Sequence, residues 1–332
     1  MPGMKYRPFG NTHLEVSEIG LGCWQLGGSD WGDVSEDRAL DTLRAAADAG
    51  VNFFDTADVY GTGRSETLIG KFLKGYRKHR VFVATKLGRF PEPGWPRNFT
   101  LDAFRQHTEA SLKRLGVEAL DLTQLHCIPM AQLREGAVFD WLRTLQREGK
   151  IKHWGVSVES MEEAQVCLQQ EGLTSLQIIF NLFRQKPITA LFDRAWHKGV
   201  GLIVRLPLAS GLLSGKMTKE TRFPQNDHRN YNRDGQAFNV GETFAGLPFE
   251  KGVELADEIK PMVPPGLSMA QMAQRWVLDH EAVGTLIPGA TSPEQARANA
   301  AVSDLPPLPD ELHERLRAFY LDRVAANIRG PY

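Results

Sequence analysis

Eight short apolar runs, spread along the chain with helical sequence between them, restrict the folds open to it. They are IGLGCW (19–24), VNFFDT (51–56), VFVATK (81–86), LTQLHC (122–127), IKHWGVS (151–157), SLQIIF (175–180), GLIVRLP (201–207) and VGTLIP (283–288). Several are continuously apolar rather than alternating, which suits a parallel sheet covered on both faces. After Ser35, residues Ala39, Leu40, Leu43, Ala46 and Ala47 share one helical stripe, and Gly50 stops it. Ser65–Leu73 and Thr100–Leu115 repeat that spacing, the second ended by Gly116. Further helices are expected from Leu133 or just beyond to Arg147, and over Met161–Gln170, Ala190–His197 and Ser268–Leu278.

Alternating strands and helices leave a closed (β/α)₈ barrel or an open doubly wound sheet. The open dinucleotide fold begins strand, GxGxxG, helix, and Gly20, Gly22, Gly27 and Gly28 do not make that pattern. No sharp change in composition divides the 332 residues. The expectation is therefore an α/β fold, a single (β/α)₈ TIM barrel domain over residues 1–332. A short hairpin from MKYRPFG and LEVSE, around residues 4–18, would cover its N-terminal end. The interval from Pro207 to Val283 is too long for an ordinary connection. It is read as a long loop region over about 208–267, with TRFPQNDHRNYNRDGQAFN (221–239) lying over a site. A disordered insertion is the other reading of that stretch. The C-terminal stretch reads as helical to about Asn327, leaving a short tail and an open site with broad substrate tolerance.

Composition narrows the function classes. With 42% hydrophobic residues, 24% charged and a formal net charge of −1, the chain has material for a large core. Nothing in that balance argues for nucleic acid or an anionic membrane surface. Three cysteines, Cys23, Cys127 and Cys167, are too few for a disulfide scaffold and fit a reducing, cytoplasmic setting. MPGMKYRPFG holds no apolar core of a signal peptide, and no run is long enough for a membrane helix. There is no HExxH, paired CxxC, G-x-S-x-G or complete P-loop, and no metal is expected.

In a barrel, the C-terminal strand ends and the loops after them form the site face. Asp55 ends the second apolar run, Tyr60 follows in its loop, Lys86 ends the third and His126 lies at the end of the fourth. A buried charge is costly unless paired, and Asp55 and Lys86 stand on neighbouring strands. A phenol has an ordinary pKa of about 10, which a nearby ammonium lowers. That would suit proton transfer to a carbonyl oxygen, with neutral His126 donating a hydrogen bond to the same atom. The residues alone leave a blander reading open: a turn aspartate, a packing tyrosine and a structural histidine.

The longer motifs resemble the aldo-keto reductase family, in the bacterial-type branch that also resembles potassium-channel β subunits. DTADVYGTGRSE is similar to the segment holding that family's aspartate and tyrosine, VFVATKLG to its lysine segment and DLTQLHCIP to its histidine segment. GKIKHWGVS, QIIFN, PLASGLLSGK and LIPGATSPEQ follow in the family's order. The resemblance implies a catalytic tetrad of Asp55, Tyr60, Lys86 and His126. It also implies reversible hydride transfer between a nicotinamide dinucleotide and an aldehyde, ketone or sugar.

Cofactor contacts carry over by position. Ser157 and Gln177 match groups that hold the nicotinamide amide, while Val158 replaces the usual asparagine. Arg205 stands where many members stack an aromatic ring on the nicotinamide, and its charge would favour the reduced form. Leu208, Ser210, Gly211 and Lys216 match the pyrophosphate segment. Gly289, Ala290, Thr291, Gln295 and Asn299 match the adenosine end. Glutamine at 295 cannot pair ionically with a 2′-phosphate. Similar members with glutamine there nevertheless resemble NADPH binders, so NADPH is expected ahead of NADH. Trp24, Phe90 and Trp95 would line the substrate pocket. Arg89, Arg222, His228 and Arg229 would meet an acidic substrate only if their loops fold inward. Two rival functions stay open: an NAD-preferring sugar or alcohol dehydrogenase, and a cofactor-binding regulatory subunit.

Overall fold

The computed structural model describes residues 3–332; the first two residues of MPGMKYRPFG lie outside them. Strands β1 (Tyr6–Pro8) and β2 (Glu15–Ser17) form the expected antiparallel hairpin. The remaining strands are β3 (Leu21–Gly22), β4 (Phe53–Asp55), β5 (Phe82–Leu87), β6 (Leu120–His126), β7 (Ile151–Ser157), β8 (Ser175–Ile179), β9 (Gly201–Arg205) and β10 (Val283–Leu286). They form one eight-stranded parallel sheet in sequence order. Parallel bridges Ile19–Leu286 and Gly22–Gly289 join its first strand to its last. The fold is thus the (β/α)₈ barrel. β3 and β4 are shorter than the runs that announced them, because the chain leaves the regular ladder at the barrel mouth. Single bonds continue beyond it, from Cys23 N–H to Asp55 O (2.8 Å) and from Thr56 N–H to Ala84 O (2.8 Å).

Local chemistry explains the main helices. α1 (Glu36–Asp48) is capped by the Ser35 side chain and buries Ala39, Leu43, Ala46 and Ala47. α2 spans Arg64–Gly75. α3 (Leu101–Leu115) starts at a Thr100 cap and stops at Gly116, whose φ of 68° suits glycine. The expected helix ending at Arg147 is α5 (Ala137–Arg147), and a further short helix, α4 (Met130–Glu135), precedes it, separated by Gly136 with φ 85°. α6 (Met161–Cys167) is shorter than expected. The helix read over 190–197 is α7 (Pro187–Ala190) and α8 (Phe192–His197), separated at Leu191.

The region read as a loop over about 208–267 has more structure than that. It carries a short helix, α9 (His228–Tyr231), and a buried one, α10 (Phe249–Ile259), which packs Phe249, Val253, Leu255, Ala256 and Ile259 inward. Gly252 obscures that pattern in the sequence, yet it is what allows the helix close: a Cβ there would lie 2.5 Å from Leu212 Cδ1. α11 (Met269–Leu278) opens on a Ser268–Gln271 capping box. α12 (Pro293–Ala300) and α13 (Asp310–Phe319) follow, and helical turns run on to Asn327. Among the described residues no helix is long and apolar enough to cross a membrane.

Side chains alternate along each strand, and this parity positions the site. Phe9 and Val16 from the hairpin pack with Phe53, Ala84, Leu122, Ile203 and Ile287 inside the barrel. Two residues further along β4, β5, β6 and β9 stand Asp55, Lys86, Gln124 and Arg205. Phe54, from the opposite face of β4, packs outward on Phe72 of α2.

Candidate active site

Above that apolar plug, Lys86 is almost fully buried and its ammonium donates three hydrogen bonds. They go to Asp55 Oδ1 (2.5 Å), Thr56 O (3.0 Å) and Tyr60 Oη (3.0 Å). All its donors are therefore engaged. Burial opposes the charge, but Asp55 and Tyr60 outweigh it and raise the Lys86 pKa. The second oxygen of Asp55 accepts from Gln177 Nε2 (2.7 Å) and Gln124 Nε2 (3.0 Å). Gln177 Nε2 also donates to Gln124 Oε1 (2.9 Å). This orientation occupies both amide hydrogens of Gln177 inside the barrel and leaves Oε1 as its acceptor. Gln124 was missed in the sequence, although it falls on the inward parity of β6 between Leu122 and His126.

Tyr60 arrives on a tight turn. A Cβ on Gly61 would collide with Gly27 O, so the two backbones meet only as glycines. The Tyr60 ring stacks near Trp24 (6.1 Å between centroids, 22°) and meets the His126 ring edge-on (5.7 Å, 86°). Burial, followed by the charges of Lys86, Arg89 and Arg205, pulls the His126 pKa well below the ordinary value, so the imidazole is neutral. The expected depression of the Tyr60 pKa is not found. Lys86 does act downward, but burial acts more strongly and Asp55 adds to it, so the phenol is pushed up to about 12.

These groups open into a cleft of about 580 Å³. Asp55, Tyr60 and His126 line it, with Lys86 beneath them. So do the expected residues Ser157, Gln177, Arg205, Leu208, Ser210, Gly211, Gly289 and Asn299, and the aromatic wall of Trp24, Phe90 and Trp95. Lys216, Thr291 and Gln295 stand outside this lining. Lys216 is exposed, and Gln295 Oε1 accepts from Thr291 N–H (2.8 Å) and Thr291 Oγ1 (3.1 Å). Of the four basic residues left open in the sequence, only Arg89 lines the cleft. Arg222 is exposed, Arg229 pairs with Asp227 (2.7 Å), and His228 is buried against Trp24 and Trp31.

The stretch 221–239 does reach the cleft, through Tyr231, Ala237 and Phe238. Asp30 ties it to the β3 loop, accepting from Tyr231 Oη (2.8 Å) and Trp24 Nε1 (3.1 Å). Arg205 is tethered as well: its guanidinium donates to Glu242 Oε1 (2.6 Å), Val158 O (2.9 Å) and Gln177 O (3.1 Å). Glu242, 37 residues away in sequence, carries no local signal of this pairing. Leu206, Ala209 and Ser210 hold φ between 48° and 58°, and Gly211 has φ 99°. Such left-handed positions turn backbone amides toward a common concavity suited to anions. The Ser210 hydroxyl accepts from Phe244 N–H (3.1 Å) and donates to Glu242 O (3.2 Å), anchoring this turn to the segment over the cleft. A dinucleotide fits this set of groups, which runs from the Ser157 hydroxyl and the Gln177 amide oxygen past Arg205 to the turn and on to Gly289.

Comparison with known proteins decides the family. The model of the aldo/keto reductase family matches residues 18–321. The chain belongs to that family. It is 31% identical over 312 residues to the aldo-keto reductase YhdN of Bacillus subtilis (strain 168), covering 90% of this chain and 89% of that protein. It is also 31% identical over 325 residues to a probable voltage-gated potassium channel subunit beta of Oryza sativa subsp. japonica, covering 92% and 93%. The structure of the glycerol dehydrogenase AKR11B4 from Gluconobacter oxydans superposes with a TM-score of 0.77 at 29% identity, covering 98% of both chains. As an aldo/keto reductase, the protein is an oxidoreductase of small carbonyl compounds, in a family that uses nicotinamide dinucleotides.

Proposed function

We propose that this aldo/keto reductase, acting as one barrel domain in the cytoplasm, reduces aldehydes or ketones to alcohols reversibly, with NADPH preferred. The observation that carries the reading is the chain of contacts from Asp55 through the Lys86 ammonium to the Tyr60 hydroxyl, which faces the cleft. Tyr60 is the proton donor to the carbonyl oxygen during reduction and takes the proton back during oxidation. Its high pKa keeps the phenol protonated across ordinary pH. Lys86 supports the phenolate left behind, and Asp55, fixed by Gln124 and Gln177, holds Lys86 in place. Neutral His126 orients the carbonyl oxygen.

A bound nicotinamide dinucleotide supplies or accepts the hydride. Ser157 and Gln177 Oε1 would hold its carboxamide, and the Arg205 plane would lie against the ring. Leu208, Ser210, Gly211 and Lys216 would follow the pyrophosphate, and Gly289, Thr291, Gln295 and Asn299 the adenosine. Because Glu242 balances Arg205, the preference for the reduced form should be smaller than an unpaired arginine would give. The NADPH preference draws support from Arg38, whose Nε donates to Thr291 O (2.7 Å) and brings a guanidinium to the residue that Gln295 bonds. It offers a 2′-phosphate the cation that Gln295 does not.

Fluorescence titration of the buried and cleft tryptophans with NADPH and NADH tests this directly. NADPH should bind at least tenfold tighter, and Arg38→Ala should erase most of the difference; equal affinities would favour the NAD-linked sugar or alcohol dehydrogenase reading. The potassium-channel relative keeps a regulatory role in view. Tight NADPH binding with no turnover across an aldehyde panel would favour it.

A further inference from the structure

The basic side chains around the cleft are unequally occupied. Lys86 is committed to Asp55, Thr56 O and Tyr60. Arg205 is committed to Glu242 and two carbonyls. Arg89 also lines the cleft, yet among the described residues it has neither an ion-pair partner nor a hydrogen-bond acceptor. It is nonetheless held in place. Its guanidinium lies over the Trp95 ring, 5.2 Å from the centroid, and the Trp95 indole N–H donates back to Gly88 O. Fully buried Asn98 fastens the same loop, donating to Phe90 O (2.7 Å) and Gly88 O (3.3 Å). A braced, unpaired guanidinium beside Phe90 and Trp95 has the form of an anion receptor.

We propose that Arg89 binds a carboxylate on the carbonyl substrate, making the preferred substrates oxo acids rather than neutral aldehydes. This rests on the reductase reading above. A guanidinium offers two parallel N–H bonds to a carboxylate, and one cation balances one negative charge. A phosphate ester carries more charge than Arg89 alone balances. Asp30 lines the same cleft, and Glu159 and Glu242 also feel the charge of Arg89, so a dianion would meet repulsion there. A monoanion suits this balance best.

The test compares kcat/KM for 4-oxobutanoate and its methyl ester, which differ in charge but hardly in reach. The acid should be preferred at least tenfold, mainly through KM. Arg89→Met keeps an apolar side chain over Trp95 and should reduce the acid-to-ester ratio tenfold or more; Arg89→Lys should restore part of it. Turnover of both at equal kcat/KM, or a parallel loss of both in Arg89→Met, would overturn the role of Arg89 and leave the reductase reading intact. A greater gain for glyceraldehyde 3-phosphate over glyceraldehyde than for the acid over its ester would overturn the carboxylate assignment. Turnover of neither these compounds nor a panel of neutral aldehydes would overturn the reductase reading itself.

Discussion

At the N-terminal end of the barrel, Phe53, Ala84 and Leu122 pack under Phe9 and Val16 of the hairpin. Two residues further along the same strands, at the other end, the inward positions are Asp55, Lys86 and Gln124. One end gains stability from burying apolar area. The other buries a charged pair and two amides, and such groups are tolerated only because each has partners. Cleft and plug share strands, so at these paired positions the difference lies in side-chain chemistry, and the loops beyond the strand ends complete the cleft. A barrel can therefore change its reaction at one end without losing the packing that holds the other.

This contrast gives predictions of decreasing size. Tyr60→Phe should lower kcat for carbonyl reduction by about a thousandfold, within the span of general acid–base catalysis. Its melting temperature and NADPH affinity should stay close to those of the parent. Wild-type-like turnover in that variant would remove Tyr60 from the mechanism. Phe53→Ala should do the opposite. Loss of a buried ring costs about 3–5 kcal/mol of stability, read as a lower urea midpoint, while KM of the folded fraction stays unchanged. A large shift in KM would mean that plug and cleft are coupled.

The smallest effect concerns pH. His126 is held neutral, with its folded pKa below the ordinary imidazole value of about 6.5. Its contribution to stability is then complete above that value and declines as pH falls toward the folded pKa, because only the unfolded chain takes up the proton there. Urea midpoints at pH 7.5 and pH 5.5 should differ less in His126→Asn than in the parent. An identical pH dependence would show that His126 titrates alike in both states.

Much of the site was legible because it obeys strand parity. Once β4, β5 and β6 are placed, Asp55, Lys86 and His126 fall at strand ends by counting. Gln124 obeys the same parity and could have been read by the same count. Other features lacked any local signal. Glu242 meets Arg205, and Asp30 joins Trp24 to Tyr231, only because a long excursion folds back over the cleft. The net effect on Tyr60 could not be read from the sequence. The ammonium beside it predicts a lower pKa, but the depth of burial that outweighs Lys86 is a property of the assembled cleft.

By itself, the sequence determined the barrel, the hairpin at its base and the order of the motifs around its mouth. Apolar periodicity and strand-end polarity are local properties, and local spacing is what a sequence records. Tertiary structure decided which charges are neutralised and which stay available. Lys86 has Asp55 and Arg205 has Glu242, whereas Arg89 faces the cleft with no ion-pair partner among the described residues. Pairing depends on distances of a few ångströms between segments far apart in the chain. Composition counts those charges, and only the folded barrel assigns their partners.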